Sequence, residues 1–401
     1  MLLLGLCIVA WSFLGFFMGK RNAQKLKSEG SLKELPLYYG YYVALWSSLP
    51  PLFISLVTFL PFPIFFDVSQ GVREYFPWIF LNLVALCCFF YASHRIKPNF
   101  KARRLIERLV KFFFFLTALV AILTSLGIIL SLLFDALRFF EIVSLQDFFF
   151  NTQWSPQLAK RDPASAFGIL PLFSGTLLIT GIALLVAIPL GLFSAIYLAE
   201  FARISTRSFC KPFLEMLAGV PTVVYGFFAV VMISPLLQGI GNFFDISVSS
   251  ESALGVGIVM GIMLIPFISS LSDDVIRAVP RSLKEGALGM GATPAEAICH
   301  IVIPAAFPGI VGAVLLAFSR AIGETMIVVM AAGLSAQMTG NPLKSVTTVT
   351  VQIVSLLTGD QEFNSPQTLA AFALGLVLFI VTLCLNMIAL KVMRSFREKY
   401  D

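Results

Sequence analysis

One apolar stretch of the chain contains an arginine and a glutamate four positions apart, in the string Ser319-Arg320-Ala-Ile-Gly-Glu324-Thr325. Arg320 falls near the middle of a predicted membrane span, 306–333, where a charge costs on the order of 2.5–3.5 kcal/mol on insertion scales. Four residues make about one helical turn, so we expect Arg320 and Glu324 to pair on one face. Charges inside a membrane usually mark a ligand or ion pathway, although a salt bridge that only locks helices together is the alternative.

If the charges are functional, the arginine could bind an anion. A guanidinium presents planar, forked N–H donors that match the oxygens of a phosphate-like group. Glu324 would hold Arg320 in place and keep the site weak enough for release, which transport requires. Ser319 and Thr325 are expected either to add hydroxyl contacts or to bond carbonyl groups of their own helix.

A second group of residues forms a short polar loop, 282–304, between two apolar stretches. Ser282 with Glu285, and Thr293 with Glu296, each have the spacing of a capping box, so we predict two short helical pieces. The alternative to a functional role is that both glutamates only cap helices.

The surface of the first helical piece is predicted to be open. Gly286 and Ala287 are small, and Gly289 and Gly291 stand where the helix should end and the chain should turn. The backbone of another protein could approach such a surface closely. The loop therefore predicts a docking site for a partner.

The composition excludes a soluble globular protein. Of the 401 residues, 58% are hydrophobic and 12% are charged, and the mean hydropathy is +0.91. Stretches of about 20 apolar residues can cross a bilayer. We predict nine spans, at roughly 2–19, 40–60, 76–93, 112–134, 170–199, 213–237, 253–272, 306–333 and 369–392. The Thr-rich stretch 345–358 is shorter and is predicted to be an extracytoplasmic surface helix or a re-entrant segment.

The distribution of basic residues predicts the orientation. If the polar loop is cytoplasmic, 22 of the 28 Lys and Arg residues fall in cytoplasmic segments and five in external ones. This bias follows the positive-inside rule. We therefore expect the N-terminus outside and the C-terminus in the cytoplasm, and we attribute the net charge of +6 to membrane anchoring rather than to nucleic-acid binding.

Three regions follow from these patterns. Residues 1–93 form an N-terminal three-helix membrane extension, 94–111 a basic amphipathic linker at the membrane surface, and 112–401 a six-span core. The six cysteines fall in spans or cytoplasmic loops, so no disulfide framework is predicted. With two histidines and no Cys/His cluster, no metal or cofactor site is predicted.

The polar loop resembles the EAA loop of bacterial ABC importer permeases, which reads Glu-Ala-Ala, three residues, Gly, nine residues and Ile-x-Leu-Pro. The residues that match this order are Glu285, Ala287, Gly291, Ile301 and Pro304. Gly286 and Ile303 replace residues of similar size. The resemblance implies that the coupling loop, within 273–304, seats in a groove of an ATPase subunit.

Further strings resemble the phosphate permeases, in particular those of the PstC type. They are the Gly/Pro-punctuated stretch 167–200, the stretch 214–226, Trp154-Ser-Pro156 and the Arg-x-x-Gly-Glu-Thr string at 320–325. The resemblance covers about 112–401 and does not extend to 1–93. It implies that Arg320 and Glu324 take part in phosphate passage.

These resemblances imply an all-α polytopic membrane protein, with a six-span type I ABC importer permease core after three extra transmembrane helices. The chain would be half of a phosphate pathway in a bacterial inner membrane and not itself an enzyme, since it has no P-loop. Its expected partners are a PstA-like second permease, a PstB-like ATPase dimer, an extracytoplasmic phosphate-binding protein and the lipid bilayer.

Three alternatives remain open. The chain could be an ABC permease for another oxyanion, such as phosphonate, sulfate or molybdate, although such a permease should lack the 320–325 string. An anion channel or secondary transporter could use Arg320 for selectivity, but it has no use for a docking loop. A sensory membrane protein could use residues 1–93 as its input.

Overall fold

The computed structural model describes residues 2–28, 34–59, 70–97, 100–159, 163–358 and 364–397. Nearly all of these residues are helical, and within these ranges the β structure is limited to two isolated bridges, Trp154 with Phe167 and Ser252 with Ser345. The predicted all-α class is therefore confirmed. The chain divides into two compact units, Met1–Leu126 and Gly127–Asp401.

The first unit contains three helices and the beginning of a fourth. They are α1 (Leu2–Ser28), α2 (Pro36–Phe59), α3 (Gln70–His94) and α4 (Ala102–Ile142). Tyr39 is buried in an aromatic core, where its hydroxyl donates to the carbonyl of Phe100 at 2.7 Å. The indole N–H of Trp11 donates to Asn82 at 3.0 Å, which ties α1 to α3.

Six described helices are long and apolar enough to cross a membrane, and α1, α2 and α3 are not among them. The last part of α3, Phe80–His94, is a shorter apolar helix. Residues 60–69 lie outside the described ranges, and so does the end of the predicted span 40–60. The three N-terminal spans therefore stay a prediction.

The helix α4 is continuous over 41 residues. It begins at Ala102 and passes residue 111 without a break, so the basic segment and the span that we predict after it share one helix. Arg103 pairs with Glu107 at 2.6 Å, one turn further on. The division of the chain at 94–111 stays a prediction.

The six described membrane-length helices agree in number with the predicted six-span core. They run over Ala102–Ile142, Leu170–Phe201, Thr222–Phe243, Ala253–Ala278, Pro294–Ile322 and Pro366–Arg394. The remaining helices of the second unit are named in chain order. They are α5 (Leu145–Phe150), α6 (Pro163–Ala166), α7 (Leu170–Ile196), α8 (Ile204–Ala218), α9 (Thr222–Phe228), α10 (Ser234–Phe243), α11 (Ala253–Ala278), α12 (Arg281–Gly289), α13 (Pro294–Ala297), α14 (Ile303–Ile322), α15 (Met326–Ala331), α16 (Val349–Leu357) and α17 (Pro366–Arg397).

The core of the second unit is the close pair α7 and α11. A Cβ atom at Gly261 of α11 would lie 2.8 Å from the carbonyl oxygen of Ala183 on α7, and a Cβ at Gly257 would lie 2.6 Å from Ile182. Small residues at these two positions allow the helices to approach closely. Ile179, Met260 and neighbouring apolar residues fill the contact.

Two predicted spans have different limits in the structure. The span predicted over 213–237 is interrupted at 219–221, where Pro221 precedes α9, so α8 is a separate helix. The span predicted over 306–333 begins instead at Pro294 and ends at Ile322. Proline before a helix and Gly323 after one explain these limits, since proline lacks an N–H and glycine favours a helix end.

The stretch 345–358 is packed inside the second unit rather than lying on its surface. It forms the nine-residue helix α16, whose Thr350 and Gln352 are buried. The Gln352 side chain accepts a hydrogen bond at 2.9 Å from the indole N–H of Trp154. The N–H of Val349 donates to the Thr176 hydroxyl of α7 at 3.2 Å.

Candidate functional site

The polar loop begins with α12, but the cap that we predict for this helix is wrong. Pro280 is the residue at the N-cap position and gives no side-chain hydrogen bond. Ser282 lies inside the first turn, so it cannot form the predicted capping box with Glu285. Both side chains are exposed.

The second predicted cap is confirmed. The Thr293 hydroxyl accepts a hydrogen bond from the N–H of Glu296 at 3.4 Å, and the Glu296 carboxylate accepts one from the N–H of Thr293 at 2.8 Å. Pro294 takes the first helical position, where its missing N–H costs nothing. The start of the helix that re-enters the membrane is therefore fixed locally.

The turn between the two helical pieces depends on Gly291, whose φ of +95° is rarely adopted by residues with a side chain. A Cβ atom added at Gly286, Gly289 or Gly291 would meet nothing within 4 Å. Met290 is 85% exposed at the tip. The outward surface of the loop is thus low and open, as the sequence predicts for a docking site.

Other motif residues of the loop have structural roles. Ala287 is buried and faces the rest of the unit. Ile301 is half-buried in a widened, π-helical turn, 298–302, and Pro304 follows this turn in the continuous helix 294–322. Proline cannot donate to the carbonyl of the residue four positions earlier, and this explains the widened turn.

An ion pair attaches the polar loop to the end of the α7 span. Lys284, in the middle of α12, contacts the carboxylate of Glu200. Glu200 lies in a π-helical turn, Tyr197–Phe201, that extends α7, and its side chain is only 11% exposed. A carboxylate shielded from water holds its partner more strongly than an exposed one does, because solvent and salt screen it less.

A second set of ion pairs, which we call the Asp273 cluster, lies near the C-terminal end of α11. The Asp273 carboxylate is 3% exposed and accepts from three cations. Its Oδ2 lies 2.9 Å from Arg207 Nη2 and 2.8 Å from Lys211 Nζ, and its Oδ1 lies 3.1 Å from Arg277 Nε. Asp274 is mostly exposed and contacts Lys211 at 3.4 Å.

The sequence gives only a weak signal for the Asp273 cluster. Two adjacent carboxylates at the end of an apolar span are usually solvated, and this holds for Asp274 alone. The cations Arg207 and Lys211 are more than 60 positions away and are brought close only by the packing of α8 against α11. The hydrogen bond to Asp273 raises the pKa of Lys211 above its ordinary value, so the ammonium stays charged at neutral pH.

A cleft of about 490 Å³ lies beside α12, between the two sets of ion pairs. Half of the residues that line it are charged. They are Glu200, Arg207, Arg277, Arg281, Lys284 and Glu285. Most of these cations already have a carboxylate partner in Asp273 or Glu200. The cleft lies beside the loop and is lined by four cations and two carboxylates.

The pair that we predict between Arg320 and Glu324 is not formed. The helix ends at Ile322, so Glu324 lies beyond the last turn and off the helical face. Arg320 is exposed in the last turn of α14, and no described carboxylate lies within 4 Å of it. Its guanidinium carbon instead lies 5.4 Å from the centroid of the Phe267 ring.

The break after α14 is held by hydroxyl groups. The Thr325 hydroxyl donates to the carbonyl of Gly323 at 3.2 Å, and the buried Thr350 hydroxyl donates to the carbonyl of Glu324 at 2.9 Å. Ser319 is buried on α14. Thr325 thus bonds a backbone carbonyl, as one of our two expectations states, and Glu324 remains half-buried at the break.

Two protein families match this chain. Residues 187–398, more than half of the chain, match the family described as binding-protein-dependent transport system inner membrane component. Residues 6–77 match a family described as phosphate ATP-binding cassette transporter. The expectation that no family resemblance extends into residues 1–93 is therefore wrong.

Individual relatives cover most of the chain. It is 33% identical over 267 residues to the probable ABC transporter permease protein YqgH of Bacillus subtilis, covering 66% of this chain and 84% of that protein. It is 34% identical over 253 residues to the phosphate transport system permease protein PstC of Haemophilus influenzae, covering 59% and 76%. A solved amino acid ABC transporter matches with 19% identity and a TM-score of 0.41 over 60% of this chain and 97% of its own, too low for any inference.

The membrane-length helices and the family match define a multi-pass permease. The chain belongs to the binding-protein-dependent inner membrane components, the membrane subunits of ABC importers. Such a subunit works with an ATPase and a substrate-binding protein, and the hydrolysis of ATP belongs to the separate ATPase subunit.

Proposed function

We propose that this chain is the PstC-like permease subunit of an ATP-driven importer for inorganic phosphate. The assignment of phosphate as the substrate rests on the match of two separate regions to phosphate transporters, one at 6–77 and one within the core. Arg320, the exposed cation in the last turn of α14, supplies the chemistry that this substrate needs.

Arg320 is the residue that we assign to phosphate passage. An anion that leaves water requires donors in place of its hydration shell, and a guanidinium offers them in a planar fork. Because Arg320 has no carboxylate partner among the described residues, its N–H groups are free to face a passing anion. Ser319, Glu324 and Thr325 surround it at the end of α14 and shape the pathway.

The polar loop is the site that we assign to ATPase docking. Its surface is open at Gly286 and Gly291 and its turn is fixed by the φ of Gly291. Glu285 and Ala287 complete the first helix, while Ile301 and Pro304 lie where the chain re-enters the membrane. Closure of the ATPase pair would push on this loop.

The proposed assembly contains a PstA-like second permease, a PstB-like ATPase dimer and an extracytoplasmic phosphate-binding protein, in a bacterial inner membrane. The charge bias supports an external N-terminus and a cytoplasmic C-terminus. Arg320 is then near the far end of the helix that starts at the polar loop.

Phosphate uptake into proteoliposomes, with the chain reconstituted together with its neighbouring gene products, tests the substrate. We expect labelled phosphate to enter only with ATP and the binding protein, and excess sulfate, molybdate or phosphonate to leave uptake unchanged. Competition by one of these anions at equal concentration would support the other-oxyanion permease instead.

Two variants test the assigned sites separately. Arg320→Ala should abolish uptake while the complex still assembles, and full uptake by this variant would remove Arg320 from the pathway. Gly291→Trp should block stimulation of the ATPase by phosphate-loaded binding protein. Stimulation unchanged by Gly291→Trp would contradict the docking role of the loop.

A further inference from the structure

The polar loop and the end of α11 that leads into it are joined to the corner between α7 and α8 by two sets of charges, one on each. Lys284 of α12 pairs with Glu200 at the end of the α7 span. Eight residues before α12, Asp273 of α11 holds Arg207 and Lys211 of α8. Both sets lie beside the same cleft.

The attachment of α8 depends on these charges because α8 contains no buried residue. Apolar burial therefore contributes little to holding this helix against α11. Both oxygens of the Asp273 carboxylate are used, Oδ2 by Arg207 and Lys211 and Oδ1 by Arg277. A carboxylate held on both oxygens fixes position and orientation, which a single contact does not.

By contrast, the end of α7 is joined to the loop through apolar packing as well. Ala195 of α7, Ile276 of α11 and Val302, Ala306 and Ile310 of the re-entering helix form one buried cluster. The re-entering helix, α7 and α11 therefore form one packed body, and the pair of Lys284 with Glu200 holds α12 to it. The helix α8, by contrast, has no buried residue and is held to α11 through ion pairs.

The helix α8 is connected to the next membrane-spanning helix by the chain and by a hydrogen bond. After α8 the chain breaks at 219–221 and continues as the membrane-length helix Thr222–Phe243. The Tyr225 hydroxyl of this helix donates to the carbonyl of Leu217, the last turn of α8, at 3.0 Å. A displacement of α8 thus reaches the base of a spanning helix.

We propose that Asp273 and Glu200 are positioning residues, which transmit movement of the polar loop to α8 and to the end of α7. This inference rests on the proposed docking of the ATPase on the loop. Asp273 transmits the movement to α8 and the following span. The pair of Glu200 with Lys284 keeps α12 at a fixed position relative to the end of α7.

A charge exchange tests the pair of Glu200 with Lys284 in the reconstituted complex. Glu200→Lys and Lys284→Glu should each lower the phosphate transported per ATP hydrolysed by about fivefold or more, the usual scale of coupling between sites. The double exchange should restore most of the ratio, because the opposite charges meet again. A double variant no better than the two singles would overturn the role of this pair.

Asp273→Asn tests the cluster, with Asp274→Asn as the matched control. Asp273→Asn leaves two or more cations without their carboxylate, so transport per ATP should fall while basal ATP hydrolysis continues. Asp273→Glu should recover part of the ratio. Asp274 is 65% exposed at its side chain, and its replacement should change the ratio by less than about twofold.

Assembly and docking are measured on the same samples. Copurification of the ATPase shows whether a variant has lost its partner or only the transmission of movement. If assembly is intact and Asp273→Asn and Asp274→Asn transport the same amount of phosphate per ATP, the proposal is overturned. If Gly291→Trp also leaves stimulation unchanged, the docking role itself has failed. If Gly291→Trp uncouples but the Asp273 and Glu200 variants do not, only the transmission has failed.

Discussion

The guanidinium carbon of Arg320, in the last turn of α14, lies 5.4 Å from the centroid of the Phe267 ring of α11. This ring is the contact that orients the cation, since the predicted carboxylate partner is not in reach. A cation over an aromatic face gains about 0.5–1 kcal/mol at exposed sites and more where water is excluded. The proposed anion site therefore depends on two helices and not on α14 alone.

Removal of the aromatic face should weaken phosphate uptake. We expect Phe267→Leu to lower the uptake rate by about two- to fivefold, the equivalent of 0.5–1 kcal/mol, because Arg320 loses its orientation. Phe267→Tyr keeps the ring face and should stay near wild type. Equal rates for the two variants would contradict the orienting role, and the measurement is initial uptake in proteoliposomes.

The turn of the polar loop should not tolerate a side chain at Gly291. Gly291→Val places a β-branched residue at φ +95° and should cost on the order of 1–2 kcal/mol of local stability. Gly239→Ala, within α10 and outside the polar loop, also faces open space and is the control, which should leave ATPase recovery unchanged. ATPase copurification measures both, and equal recovery from the two variants would be evidence against a strained turn.

Alanine substitutions at Ser282 and Thr293, the two predicted N-caps, should have different effects on amide hydrogen exchange. Thr293→Ala removes an observed cap and should cost about 1 kcal/mol, which corresponds to roughly fivefold faster amide hydrogen exchange at Glu296 and Ala297. Ser282→Ala should leave exchange over α12 unchanged or slower, because Ser282 caps nothing. Comparable acceleration at both sites would show that Ser282 acts as a cap after all.

The buried hydrogen bond between Trp154 and Gln352 should contribute to stability. Gln352→Leu leaves the indole N–H buried without an acceptor and should lower the free energy of unfolding by about 1–3 kcal/mol. Gln157→Leu, at an exposed position of the same outer segment, is the control and should have little effect. Thermal unfolding in detergent compares the two, and equal midpoints would remove Gln352 from the stability of this segment.

The sequence by itself determined the class of this protein. A bilayer imposes a fixed length of apolar helix, so spans can be counted from composition without knowing any contact. The order from Glu285 to Pro304 marked the polar loop because its turn, its cap at Thr293 and its widened helix arise from local geometry. Local geometry is readable from neighbours in the chain.

Only the tertiary structure decided which charges meet. Arg320 and Glu324 have the spacing of a pair, yet the helix ends between them, and the partner of Arg320 is Phe267 on another helix. Asp273 looks like a solvated helix end, yet α8 brings two cations onto it from over 60 positions away. Helix ends and interhelical contacts depend on packing across the whole unit, and sequence spacing carries no record of that packing.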